Sequence, residues 1–353
     1  MIVTDDLGIL QREAWAAGTL PPVEQIRPGL WSIPVPMPRN PLRYVLVYAF
    51  AIDDGLALID VGMDTEESWK ALVDGIADTG HHISDVRYAA ITHLHPDHFG
   101  LAPRLRETTG AAIAMHAAEA VALGHQTPSD VDADVEAWRV DLVGLGAPPE
   151  VVEAERFALV RFAPGESADV VLNHGTTLDL PGWNLEAVWT PGHTPGHLAF
   201  LDRDHDLLFS GDHMLPRISP NISSGPDELP DPLHRYLLSL HATTRLPDCE
   251  VLPAHEYRFR GAGERARQLM AHHDARLTEI RDTVEARPES TAWEITVAVT
   301  WSRPIDTLSP RLQRLAVRET QAHLIVLADR GEIRSDSGIP ARWSLTRTDT
   351  KEK

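Results

Sequence analysis

The sequence predicts a mixed α/β protein followed by a small module of two helices and a hairpin. Three observations point there. Short apolar runs recur along the chain, and several end directly at a histidine or aspartate. Stretches with apolar residues at helical spacing lie between them. After Arg287-Pro288-Glu289-Ser290 the pattern changes to helix, helix and hairpin.

Taken in order, a helical segment at 5–17 precedes a proline-rich approach from Pro21 to Pro41. Strands at 44–50 and 56–60 form a hairpin across Asp53-Asp54-Gly55, a strong turn signal. Residues 65–77 read as an amphipathic helix with Trp69, Leu72, Val73 and Ile76 on one face. A strand at 87–92, a helix at 99–108 and a strand at 111–115 follow. The helical stretches 129–145 and 149–157 carry no ligand motif and form an insertion, about 129–160, expected to roof a pocket. Strands at 185–189, 207–209 and 250–252 each run into a ligand-capable residue, and the long loop 214–232 leaves the second of them. A helix at 263–286 closes a first domain, 1–289. Thr291 and Glu294 then make a capping box, Pro310 stands first in a second helix, and Asp336-Ser337-Gly338 joins two strands. These make a second domain, 290–346, with a disordered tail at 347–353.

The chain is organised around Thr92-His93-Leu94-His95-Pro96-Asp97-His98, where four metal-capable side chains fall within six residues. In extended backbone His93 and His95 leave the same face. Pro96 holds His95 extended and ends the strand, so Asp97 and His98 turn towards a second point nearby. One metal needs only three or four donors, so the spacing reads as the nucleus of a two-metal site. Further donors come from Gly192-His193-Thr194-Pro195-Gly196-His197, Ser210-Gly211-Asp212-His213 and Pro253-Ala254-His255-Glu256, each following an apolar strand. His81, His82, His116, His125 and His174 stand singly and read as structural or solvated.

In this order the four motifs resemble those of the metallo-β-lactamase superfamily, which implies a four-layer αββα sandwich. The resemblance implies that His93, His95 and His193 hold one metal, that Asp97, His98 and His255 hold a second, and that Asp212 bridges them. Asp60, in Leu58-Ile59-Asp60-Val61-Gly62, matches an aspartate that orients a ligand loop from behind the metals. His197 and His213 are expected to support ligands by hydrogen bonds, with His213 facing away. The C-terminal order of elements resembles a winged-helix module found on some lactamase-like hydrolases.

Composition sets further bounds. The 353 residues, 43% hydrophobic and 24% charged, are those of an ordinary globular protein. No apolar run is long enough for a membrane span, and acidic Asp5 and Asp6 stand where a secretory signal would be basic. With the single Cys249, which reads as a packed residue near a strand start, these features suit a cytoplasmic setting. The net charge of −20 opposes nucleic acid and anionic membranes. From Ser290 on the balance is ten Lys/Arg to eight Asp/Glu, and Arg311, Arg314 and Arg318 share one side of the second helix. The apolar pattern of Leu312, Leu315, Ile325 and Leu327 there suits packing or self-association better than a major groove.

Imidazole and carboxylate donors without thiolates favour Zn²⁺, with Fe or Mn also fitting. Two such ions would lower the pKa of a shared water, giving a hydroxide that attacks an acyl carbon. Asp97 and Asp212 are the catalytic carboxylates in this reading, with Asp97 orienting the nucleophile or taking its proton. No Gly-x-Ser-x-Gly motif supports serine catalysis. Among the superfamily's chemistries, the presence of Asp97 and the lack of an export signal count against antibiotic hydrolysis. Leu215 stands where well-known lactonases carry a tyrosine, while His255-Glu256-Tyr257 resembles glyoxalase II. The expected reaction is hydrolysis of a small ester, thioester or lactone, and a lactamase-like endoribonuclease or phosphodiesterase is the alternative. Arg217, Ser219 and Asn221 on the long loop, and Tyr257, are the candidate substrate contacts.

Overall fold

The computed structural model describes residues 7–124, 128–153, 166–226 and 228–346. Seven strands form one sheet in sequence order: β1 (Glu24–Arg27), β2 (Leu30–Pro36), β3 (Tyr44–Ile52), β4 (Gly55–Ile59), β5 (Val86–Ala90), β6 (Ala112–His116) and β7 (Val170–Leu172). Pairing is antiparallel from β1 to β4 and parallel from β4 to β7. The second sheet holds β8 (Leu185–Trp189), β9 (Leu198–Asp202), β10 (Leu207–Gly211), β11 (Glu250–Pro253) and β12 (Phe259–Arg260), in the order β12-β11-β10-β9-β8. The helices are α1 (Ile9–Ala17), α2 (Glu66–Asp78), α3 (Pro96–Phe99), α4 (Ala102–Thr109), α5 (Ala117–Gly124), α6 (Pro128–Gly144), α7 (Pro149–Glu153), α8 (Pro232–Thr243), α9 (Ala262–Ala286), α10 (Ala292–Ala298) and α11 (Pro310–Asp329).

β3 shows why the sheets stack. Its residues alternate in side, as a pleated strand requires. Val45, Val47 and Ala49 enter a core shared with Leu72 and Ile76 of α2. Tyr44, Leu46, Tyr48 and Phe50 enter another core shared with Ala187, Phe200, Phe209 and Leu252 of the second sheet. Both faces of β3 are therefore covered, one by helix and one by sheet. Tyr48 and Phe50 meet Phe209 edge-on and tilted, at centroid distances of 5.2 and 5.1 Å. The far face of the second sheet is buried too, at Leu201, Leu208 and Val251. This is the mixed α/β sandwich expected from the sequence. α2 is capped by Thr65, whose Oγ1 accepts the Ser68 N–H at 3.0 Å. It lies so close to β2 that a Cβ on Gly75 would come within 2.3 Å of Ile33 Cγ2.

The chain divides into two compact units. One spans 1–126, 162–220 and 239–267 and contains both sheets; the other spans 127–161, 221–238 and 268–353. This division differs from a border at 289–290, because α6 and α7, expected as an insertion in the first domain, group with the C-terminal helices. Residues 154–160 of that insertion and the tail at 347–353 lie outside the described residues.

The second unit keeps the expected order of α10, α11 and a hairpin of β13 (Ile333–Ser335) and β14 (Trp343–Leu345). The Thr291–Glu294 capping box is present, at 2.8 and 3.2 Å. The arginine stripe on α11 is not an open basic face. Arg314 and Arg318 are buried, with Arg318 stacked 3.6 Å over the Trp138 ring, and only Arg311 of the three is exposed. No helix among the described residues is long and apolar enough to cross a membrane.

Candidate metal centre

Each strand end delivers one part of the site. β5 runs out at Ala90, and Thr92 then ties the loop to the end of β4. Its N–H donates to Asp60 Oδ1 at 2.8 Å and its hydroxyl to Asp60 Oδ2 at 2.9 Å. Asp60 sits at φ +57°, a conformation that aspartate tolerates better than most residues. His95 is extended, Pro96 opens the single turn α3, and that turn carries Asp97 and His98. From the second sheet, β10 delivers Asp212 and β11 delivers His255. The loop between β8 and β9 delivers His193, and Leu198 N–H closes the ring by donating to Thr92 O at 2.8 Å.

The seven predicted ligand side chains converge. His95 Nδ1 stands 2.8 Å from His93 Nε2 and 3.0 Å from His193 Nε2. His255 Nε2 is 3.3 Å from Asp97 Oδ2, and His98 Nε2 is 3.6 Å from the same oxygen. Asp212 faces both groups: Oδ2 is 3.4 Å from His193 Nε2, and Oδ1 is 3.3 Å from His255 Nε2 and 3.7 Å from His98 Nε2. Three overlapping triads have donor atoms all within 4.8 Å of one another: His93-His95-His193, His93-His98-Asp212 and Asp97-His98-His255.

Hydrogen bonds behind the rings set which nitrogen faces inward. Asp60 Oδ2 lies 2.8 Å from His98 Nδ1, and Tyr44 O lies 2.9 Å from His255 Nδ1. Both acceptors take the N–H at Nδ1, which leaves each Nε2 as the nitrogen facing the pocket, where a cation would take the place of its proton. The Thr92 hydroxyl donates to Asp60, so it accepts from His93 Nδ1 at 3.0 Å and turns that Nε2 inward as well. His98 Nε2, His255 Nε2 and Asp212 Oδ1 are buried and have no hydrogen-bond partner. Orphans of this kind, gathered within a few ångströms, are costly unless a cation joins them. The donor set fits a divalent metal.

Electrostatics divide the pocket. Burial, reinforced by neighbouring imidazoles, holds His93 well below its usual range and His95 down to about 3, so these rings stay neutral. Burial alone would lower His98 too, but Asp60, Asp97 and Asp212 push it up to about 10, and His255 moves the same way. Against their own burial, Asp97 and Asp212 are kept ionised by His98 and His255. Positive charge is drawn to one half of the pocket, and neutral imidazoles face the other. A Lewis-acidic cation suits both.

A family model for the metallo-β-lactamase superfamily matches residues 40–255, which take in all four motifs and most of both sheets. The chain belongs to the metallo-β-lactamase superfamily. Its two stacked sheets are the fold of that superfamily. It is 32% identical to a solved metallo-β-lactamase family protein from Thermus thermophilus, at a TM-score of 0.78, covering 91% of this chain and 100% of that one. The probable metallo-hydrolase YqjP of Bacillus subtilis is 27% identical over 226 residues, 60% of this chain and 66% of that protein. A hydroxyacylglutathione hydrolase of Cereibacter sphaeroides is 27% identical over 210 residues, 60% of this chain and 62% of that protein. The chain thus spans a little under two thirds of these two curated relatives.

Several residues expected to support this superfamily site hydrogen-bond around it. His197 Nε2 accepts the Asp212 N–H at 3.0 Å, and its Nδ1 donates to Thr190 Oγ1 at 2.8 Å. His213 turns away, to Thr243 Oγ1 at 2.9 Å. His116 is structural, stacked on Trp189 with rings 4° from parallel. Of the substrate-contact candidates, Arg217 is exposed and Ser219 half-buried. Tyr257 is buried beneath the Arg12 guanidinium, 5.3 Å from its ring centre. Asn221 falls in the second unit, where its side-chain amide donates to Glu319 Oε2 at 3.0 Å.

Two buried carboxylates near the site escaped the sequence reading. Glu256, at φ +70°, accepts the Arg217 N–H at 3.0 Å and so fixes the start of the long loop. Glu119 on α5 accepts three hydrogen bonds from the ligand loops. Gly100, closing the first motif, is required by space and not by its torsion angles. A Cβ there would meet Pro96 O at 2.3 Å, Asp64 N at 2.6 Å and Gly62 O at 3.1 Å, all backbone atoms. We therefore expect Gly100→Ala to lose about 1–3 kcal/mol in thermal unfolding. Gly144→Ala, on α6 with nothing within 4 Å, should be neutral or slightly stabilising. Equal melting temperatures for wild type and Gly100→Ala would refute the packing argument.

Proposed function

We propose that this chain is a dinuclear metallohydrolase acting on a small ester, thioester or lactone. The observation that carries the reading is Asp212, whose two oxygens face two different donor groups. His93, His95 and His193 would hold one ion, Asp97, His98 and His255 the other, and Asp212 both. Zn²⁺ suits these nitrogen and oxygen donors, and Fe or Mn would also fit. When bound, such ions supply Lewis acidity, activating water and polarising an acyl carbonyl.

The remaining work belongs to the chain. Asp97, ionised and half-buried, can accept a hydrogen bond from the attacking water and take its proton. Asp60 and the Tyr44 carbonyl keep His98 and His255 oriented through the cycle. Water adds across the acyl bond, its oxygen to the acyl carbon and a proton to the leaving group. The relative named as a hydroxyacylglutathione hydrolase makes acyl thioesters the first substrates to try. The test is a panel of thioesters, esters, lactones and phosphodiesters on metal-replete protein. Turnover of phosphodiesters alone would overturn the acyl reading in favour of a nuclease or phosphodiesterase.

Arg217 is proposed as a substrate contact. It is exposed, five residues beyond Asp212, and its backbone is fixed by Glu256. A carboxylate or phosphate on the substrate would pair with its guanidinium. Arg217→Ala should raise KM several-fold with kcat little changed, the pattern of lost uniform binding. Arg311→Ala, in the second unit, serves as the control. Unchanged KM would remove Arg217 from the binding site.

A further inference from the structure

We propose that Glu119 is a positioning residue that locks together the two loops carrying His93, His95 and His193, and so sets the affinity of that half of the centre. Glu119 is 4% exposed, on the first turn of α5, immediately after β6. Its Oε2 accepts the backbone N–H of Leu94, the residue between His93 and His95, at 2.9 Å. Its Oε1 accepts the Thr194 hydroxyl at 2.8 Å and the Gly196 N–H at 2.7 Å, just beyond His193. One carboxylate thus spans two loops from different sheets. The carboxylate enters closely. A Cβ on Gly196 would stand 2.7 Å from Glu119 Cγ and 2.8 Å from Oε1. The glycine therefore makes room for the carboxylate.

The arrangement has a consequence for the metal. His93, His95 and His193 bring three imidazoles to one point, and apart from the shared Asp212 no carboxylate would draw the cation in there. Affinity there depends on how well two independent loops keep their nitrogens in place. Asp97, His98 and Asp60, by contrast, are tied through α3 and the end of β4, with no bond from Glu119. Removing the Glu119 bridge should therefore loosen one half of the centre and spare the other. Outer partners of metal ligands contribute about ten- to a hundredfold in affinity. The inference rests on the dinuclear reading for its selectivity, though not for the role of Glu119 itself.

The experiment is zinc titration of metal-stripped full-length protein against a chromophoric chelator, on wild type, Glu119→Gln and Thr194→Val. Glutamine keeps the volume but offers one oxygen, so it leaves either Leu94 or the Thr194–Gly196 pair facing an amide donor. Thr194→Val removes a single donor and leaves Glu119 in place. Two binding steps are expected in wild type. In Glu119→Gln one step should weaken about ten- to a hundredfold and the other stay within about twofold. Thr194→Val should weaken the same step less, and metal-free melting temperatures should be similar. In a His193→Ala background Glu119→Gln should have no further effect, and in an Asp97→Ala background its full effect. Equal weakening of both steps, or of neither, would overturn the proposal. If wild type binds one ion only, the dinuclear reading fails. An unchanged affinity of that ion in Glu119→Gln would then overturn the role of Glu119, and a weakened one would uphold it.

Discussion

Asp212→Ala is expected to abolish hydrolysis, lowering kcat by about a thousandfold or more, while Cys249→Ala leaves it within about twofold. Losing a single electrostatic contact to the reacting atoms typically costs about 10²–10³ in kcat. Asp212 does more than one contact's work in the proposed centre. Its two oxygens reach His193 on one side and His98 and His255 on the other, and its N–H is held by His197. An alanine would leave those imidazoles facing a gap and remove the group shared by both ions. Cys249 is the contrasting case. It is buried at the start of β11, and burial pushes its thiol up to about 11, so it offers no thiolate at neutral pH. The comparison uses kcat on the best substrate of the panel, with metal content measured on the same samples. Equal loss in the two variants would remove Asp212 from the centre, and full activity in Asp212→Ala would do so at once.

How much of this was legible in the sequence depends on how each residue acts. The seven candidate ligand positions were legible because they fall in short, dense motifs at strand ends or in the loops and turn just beyond them, and such loops meet at sheet edges. Asp60, at the end of β4, was legible through the resemblance of Asp60-Val61-Gly62 to a superfamily motif. Glu119 and Glu256 were not, because they act mainly by accepting backbone N–H groups, and no residue spacing records a bond to a backbone amide. Arg314 and Arg318 were read as one side of a basic stripe, yet both are buried, Arg318 against Trp138. Spacing gives a helix its faces but not what lies against each face, and a long aliphatic stem packs well beneath a charged head. The division into units was least legible. A border at 289–290 follows the local break in helix signal at Arg287-Pro288-Glu289-Ser290, whereas α6 and α7 join the C-terminal helices through contacts far apart in sequence. One such contact is the Trp293 N–H donating to Leu145 O at 3.0 Å.

Removal of metal is the second large effect, and it should appear in stability as well as in rate. Three buried metal-capable atoms, His98 Nε2, His255 Nε2 and Asp212 Oδ1, face one another at 3.3–3.7 Å without a well-formed hydrogen bond. A metal that binds the folded chain and not the unfolded one stabilises it by about 4 kcal/mol per ion at a thousandfold excess over Kd. Read as a melting temperature, such a loss is on the order of 10 °C. Purified protein is therefore expected to carry close to two metal ions per chain by elemental analysis. Exhaustive chelation should abolish hydrolysis and lower the melting temperature by about that amount, and zinc should restore both. Cys249→Ala should respond in the same way, since its thiol is no ligand. A stoichiometry of one would keep the enzyme metal-dependent but refute two ions bridged by Asp212. Activity and melting temperature unchanged in protein shown to be metal-free would refute the centre itself, because the orphaned donors would then be stable without a cation.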